Sequence, residues 1–160
     1  MYFLIGVVAL LGSLLTFFSG FGLGTLLVPV FAIFFPIDLS IALTAIVHFL
    51  NNVFKLFLIG KNSNKKIVFQ FGIPALFASF AGAYLLNLIA DVKPIATYTI
   101  STGTFYITPL KLLVASLLFV FSFLEIFPNL TKLEIKDKWI PFGGLLSGFF
   151  GGISGHQGAL

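Results

Sequence analysis

The chain has 160 residues, 59% of them hydrophobic and 9% charged, and its mean hydropathy of +1.13 excludes a soluble domain with an ordinary polar surface. All 9 basic residues are lysines, set against 5 acids; they lie in loops and at segment ends, where the positive-inside bias of membrane proteins accounts for them and nucleic-acid binding does not. With no cysteine and two well-separated histidines, disulfides, thiolate metal sites, thiol nucleophiles and a histidine metal cluster drop out together, and no cofactor or metal is expected.

From Met1 to Phe35 the sequence carries no charge, yet it is too long for one straight helix through a hydrocarbon core of roughly 30 Å. It also outruns a signal-peptide core and has no preceding lysine or arginine, so it reads as retained membrane sequence. Ser19-Gly20-Phe21-Gly22-Leu23-Gly24 divides it. Glycines at alternate positions favour a helix stop, which predicts a helix over Phe3 to Phe18, a turn over Ser19 to Gly24, and a shorter helix ended by Pro36. Unwound backbone survives at membrane depth only where protein or a water-filled cavity satisfies its N–H and C=O groups, and transporters place such breaks at the substrate site. This is the first pointer to a permease.

Asp38 or Ser40 is the expected N-cap of the next element, a full span over Leu39 to Gly60. On that span Thr44, His48, Asn51, Asn52 and Lys55 recur at spacings of three and four and share one face. A lysine inside a span costs on the order of 2.5 to 3.5 kcal/mol at its centre and less near an end, so the stripe faces protein or water and is the candidate substrate-binding face. Its plainer reading is Lys55 snorkelling to the headgroups while the other side chains bond neighbouring helices. Glu125, at a similar distance from a span end, is the expected ion-pair partner of Lys55.

Lys61-Asn62-Ser63-Asn64-Lys65-Lys66 reads as a basic cytoplasmic loop, and Ile67 to Ala90 as a span with a packing face of Ala75, Ala78, Ser79, Gly82 and Ala83. Asp91 to Thr108 is expected as an external loop able to rest on the membrane. Pro109 restarts a helix, Leu110 to Phe127 spans with Lys111 at its outer end, and Pro128 stops it. Asn129 to Lys138 is the second basic loop, Trp139 sits at an interface, and a further membrane segment opens at Ile140. Ser147-Gly148-Phe149-Phe150-Gly151-Gly152 is a near-copy of the first glycine element. It predicts a second break, a poorly helical run from Gly151 to Gly158 whose N–H groups, with Ser154, His156 and Gln157, surround a small anion.

The fold class expected is therefore all-α: a polytopic transmembrane helical bundle with glycine-broken helices and a repeat architecture. Residues 1–138 form the first membrane repeat and residues 139–160 the start of a second, to be completed by a missing second repeat or a partner subunit.

Three stretches, SGFGLGTLLVPVF at Ser19 to Phe31, ALTAIVHFLNNVFKLFLIGK at Ala42 to Lys61 and GGLLSGFFGGISGHQGAL at Gly143 to Leu160, resemble the sulfite exporter TauE/SafE family of membrane permeases. The resemblance implies a cell-membrane protein of two related multi-helix halves that moves small sulfur-containing anions such as sulfite or a sulfonate. It implies site residues at Gly20, Gly22, Gly24 and Pro29, and in the second repeat at Gly148, Gly151, Gly152, Ser154, Gly155, His156 and Gln157. The competing reading is a non-transporting membrane assembly or regulatory subunit. An intramembrane enzyme would need an acid and an oxyanion site beside Ser154 and His156, and nothing in the sequence supplies them.

Overall fold

The computed structural model describes residues 2–19, 22–101, 103–127 and 136–155. Among them the chain forms six α-helices and one two-stranded hairpin, in the order α1 (Tyr2–Ser19), α2 (Leu23–Ala32), α3 (Ile37–Ile59), α4 (Lys65–Ala90), β1 (Ala96–Ile100), β2 (Gly103–Ile107), α5 (Pro109–Ile126) and α6 (Ile140–Ser154). Helices α3, α4 and α5 are long and apolar enough to cross a membrane. Much of their surface is exposed phenylalanine and leucine, Phe57 at 82% and Phe119 at 74% among them. Such a surface needs lipid as its solvent, which fits the polytopic reading.

The uncharged N-terminal run is broken. Gly22 has φ of 92° and is the N-cap of α2, a left-handed conformation that costs an L-residue roughly 1–2 kcal/mol and glycine almost nothing. Space is not the reason for the glycine, because an added Cβ would meet only ordinary contacts, 3.8 Å from Thr25 Oγ1 and 3.9 Å from Glu125 Oε2. After the break the chain doubles back. Gly12 faces Leu23 and Leu27, while Ile5, Val8 and Ala9 pack on the cluster of Leu23, Leu27 and Phe31, so α1 and α2 form an antiparallel helical hairpin. The start of α1 therefore lies at the same end of the bundle as Phe35, and α3 carries the chain from there to the lysine-bearing turn at residues 60–64. Cysteines placed at Phe3 and Ser63 should accordingly react with a membrane-impermeant maleimide from opposite faces of sealed vesicles; labelling of both from one face would contradict the hairpin.

Several local expectations change. α2 ends at Ala32, short of Phe35. α3 starts a turn earlier than its expected caps: Pro36 is the N-cap, Asp38 lies in the first turn, and Ser40 is inside the helix with Oγ 2.9 Å from the Pro36 carbonyl oxygen. Lys65 and Lys66 belong to α4, whose N-cap Asn64 accepts from the Lys66 and Ile67 N–H groups at 3.0 and 3.5 Å; the helix begins there because Asn64 supplies the acceptor. The segment expected as an external loop holds β1 and β2, paired antiparallel with Tyr98 opposite Phe105. Most of the second basic loop lies outside the described residues.

Packing follows two clusters and one helix pair. Val28, Ile41, Leu86, Leu110 and Val114 bring α2, α3, α4 and α5 together near the end that bears the β-hairpin. The most extensive helix contact among the described residues joins α4 to α6. There Gly144, Gly148 and Gly152 stand on the backbone of Phe71, Ala75 and Ser79, and Gly82 on that of Phe149. Both series advance by four in the same direction, so the two helices run parallel with glycine at the closest approach, the small-residue packing that membranes favour. The expected face on α4 thus has a partner in the second glycine element.

Candidate functional site: a capped helix break and a groove between three helices

Lys55 and Glu125, expected as an ion pair, are seated on the two ends of the α1–α2 break. Lys55 Nζ donates to the Thr16 carbonyl at 3.3 Å and lies 5.8 Å from the centre of the Phe17 ring. Thr16 is in the last turn of α1, where carbonyls lack intrahelical partners and the helix dipole is negative. On the other side, the Glu125 carboxylate from α5 lies in the first turn of α2, 3.2 Å from Thr25 Oγ1 and accepting from the Gly22 N–H. Thr25 Oγ1 is also 3.0 Å from the Gly22 carbonyl oxygen, so its one proton is shared between two acceptors. A cation on a helix C-terminus and an anion on a helix N-terminus are the two favourable placements of charge against helix dipoles, and together they satisfy backbone that would otherwise be orphaned in a low-dielectric setting.

The rest of the polar stripe on α3 divides. Thr44 is fully buried, with Oγ1 donating to the Ser40 carbonyl at 2.8 Å, and His48 is buried one turn on. Asn51 is half-buried, while Asn52 is exposed and turned to a different neighbour. It lines a groove of about 1150 Å³ between α3, α4 and α6, whose walls include Asp38, Ala42 and Ala45 of α3, Ser79, Ala83 and Asn87 of α4, and Ser147, Gly148, Gly151 and Gly152 of α6. Asn52 and the glycine pair, singled out separately in the sequence, thus meet on one surface.

The conformation of that glycine pair corrects an expectation. Gly151 and Gly152 are inside α6, and the second left-handed glycine among the described residues is Gly155, with φ of 66° and its N–H on the Gly151 carbonyl at 2.9 Å. Backbone N–H groups inside a helix are already bonded, so Gly151 and Gly152 offer a smooth surface and no anion-binding nest. Ser154 is fully buried and its Oγ donates to the Phe150 carbonyl at 2.8 Å. Gly155 closes against α3, where an added Cβ would stand 3.2 Å from the Ile41 carbonyl oxygen.

Residues 4–160 match the model of the sulfite exporter TauE/SafE family. The chain belongs to that family. No curated protein and no solved structure matches it. TauE/SafE proteins are membrane transporters. Of the residues singled out in this family member, Gly22 sets the break, Gly24 is buried beside it, and Pro29 is on the exposed side of α2; Gly20, His156 and Gln157 lie outside the described residues. Sequence reasoning missed Thr25 and Thr16 at the break, and Asn87 and Ser147 in the groove. Thr25 directly follows Gly24, and a hydroxyl one turn into a helix that follows a glycine stop was the available signal.

Proposed function

We infer that this chain belongs to a permease that moves small anions, sulfur-containing ones such as sulfite or a sulfonate, across the cell membrane along the groove between α3, α4 and α6. The observation that carries this reading is the groove's composition and extent. From Asp38 to Asn52 it follows α3 for about 21 Å at 1.5 Å per residue, most of a hydrocarbon core of roughly 30 Å. Besides Asp38, its polar lining is hydroxyl and amide, from Asn52, Ser79, Asn87 and Ser147, and an amide NH2 has two donors to offer an anion without trapping it as a buried lysine would. Asn52 is exposed two turns inside an apolar span, and an amide at that depth calls for water or further protein in place of lipid. A second repeat or a partner subunit supplies that wall. Asp38 stands at the mouth in the first turn of α3, where the helix N-terminus offsets its charge.

The break supports transport differently. The Gly22 N–H is bonded by the molecule's own carboxylate, so Gly22 and Gly24 act as a fixed joint beside the path. Under this reading, efflux of radiolabelled sulfite from proteoliposomes carrying the protein falls at least tenfold on Asn52→Leu, and less on His48→Ala. Lys55→Ala lowers efflux through loss of folded protein, visible as a matching fall in the monodisperse fraction. A protein that moves neither sulfite nor any of a panel of sulfonates would leave the reading without a substrate and favour a non-transporting membrane subunit.

A further inference from the structure

The β-hairpin is amphipathic across its thickness. In an antiparallel pair, residues directly opposite share a face and successive residues alternate. The register sets Ala96 opposite Ile107, Tyr98 opposite Phe105 and Ile100 opposite Gly103 on one face, with Thr97 opposite Tyr106 and Thr99 opposite Thr104 on the other. Tyr98 and Phe105 stack at 5.4 Å, yet the apolar face is uncovered, with Ile100 64% exposed and Phe105 48%. A two-stranded ribbon on its own is marginal in water, and an apolar face needs a cover.

The ribbon's position is fixed by its tether. Only Thr108 separates β2 from α5, and Thr108 Oγ1 accepts from the Lys111 N–H at 3.2 Å as the helix cap. Lys111 Nζ donates to the Tyr106 carbonyl at 3.0 Å, and the Ile95 N–H donates to the Ile107 carbonyl at 2.8 Å. The ribbon is thereby held within a turn of the end of a membrane span, at the height where tyrosine and lysine heads sit among headgroups. Area decides between lipid and protein as the cover. Five residues at about 3.4 Å, on two strands about 4.8 Å apart, present roughly 200 Å², against roughly 800 Å² per partner in a stable protein interface.

We propose that strands β1 and β2 lie flat on the bilayer surface as a β-ribbon float, with Tyr98, Ile100 and Phe105 in the headgroup–acyl boundary and Thr97, Thr99 and Thr104 in water. Because the sequence has no cysteine, single cysteines at these six positions take a nitroxide without background, with Phe119→Cys as the lipid control and Ser63→Cys as the water control. In phosphatidylcholine proteoliposomes, the ratio of collision with oxygen to collision with a water-soluble nickel chelate should be several-fold higher at 98, 100 and 105 than at 97, 99 and 104. Equal access of the nickel chelate to both faces overturns the proposal, and shielding of 98, 100 and 105 from both agents overturns it in favour of a protein cover such as a second copy. If labelling disturbs the ribbon, Ile100→Trp and Thr99→Trp in a Trp139→Phe background give the same test: brominated lipid should quench the first strongly and the second little, and the reverse order or equal quenching rejects the float.

Discussion

Gly148→Val should force α4 and α6 apart and cost about 3 kcal/mol or more of stability, the largest effect expected of any single substitution outside the break. A Cβ at this position would fall inside van der Waals contact of the Ala75 carbonyl oxygen and 2.6 Å from Ala75 Cα. Those are backbone atoms of a facing helix, so no rotamer change relieves the overlap and the helices themselves must move. Overpacking typically costs 1–3 kcal/mol where side chains can yield; here they cannot, and the pair also loses close dispersion contacts along its length. Gly152→Val meets Ser79 in the same way and should behave alike, with Gly148→Ala intermediate. A Cβ added at Gly6 would have nothing within 4 Å, so Gly6→Ala should be neutral or stabilise by up to about 1 kcal/mol through helix propensity alone. Thermal unfolding in mild detergent separates the two cases; equal midpoints for Gly148→Val and Gly6→Ala would remove glycine packing as the basis of the pair.

Glu125→Ala is expected to destabilise the break by about 1–3 kcal/mol, the usual cost of leaving buried polar groups without their acceptor. It strips the Gly22 N–H and one of the two acceptors of Thr25. Glu125→Gln keeps a carbonyl oxygen and loses only the charge facing the α2 N-terminus, a contribution of about 0.3–1 kcal/mol, so it should retain more than half of the stability lost in the alanine variant. Thr25→Val should cost about 1 kcal/mol. Amide exchange at residues 22–26 is the direct readout: Glu125→Ala should speed it at least tenfold and Glu125→Gln by less. Unchanged exchange in Glu125→Ala would mean that the carboxylate is a bystander to the break.

How much of this was readable in the residues depends on what kind of information each feature needs. Spans and their order follow from length and hydropathy, so α3, α4 and α5 were legible, and the first break was legible because Gly22 sits in a backbone region only glycine enters freely. The partners of Lys55 and Glu125 were not. Sequence gives a residue's depth along its own helix and the face it shares with its neighbours, but not the rotation of one helix against another, and it is that rotation which sends Lys55 to Thr16 and Glu125 to Thr25. Gly151 and Gly152 show the same limit in another form. Glycine either ends a membrane helix or lets a second backbone approach, and at Gly152 only the backbone of Ser79 and Ala83 on α4 selects the second outcome. The β-hairpin did carry a local signal, the alternation Thr97-Tyr98-Thr99-Ile100 of β-formers; the threonines' polarity suggested a loop because both faces were weighed together.

The shortness of α2 also constrains how the protein is made. Ten residues rise about 15 Å, half of a bilayer core, so α2 cannot enter the membrane as an independent stop or start signal. Its N-terminal groups wait for Glu125, which follows Thr25 by 100 residues; at roughly 5–20 residues per second of translation that is a delay of about 5–20 s. The first helical pair to be synthesised thus receives its cap from a helix made 100 residues later.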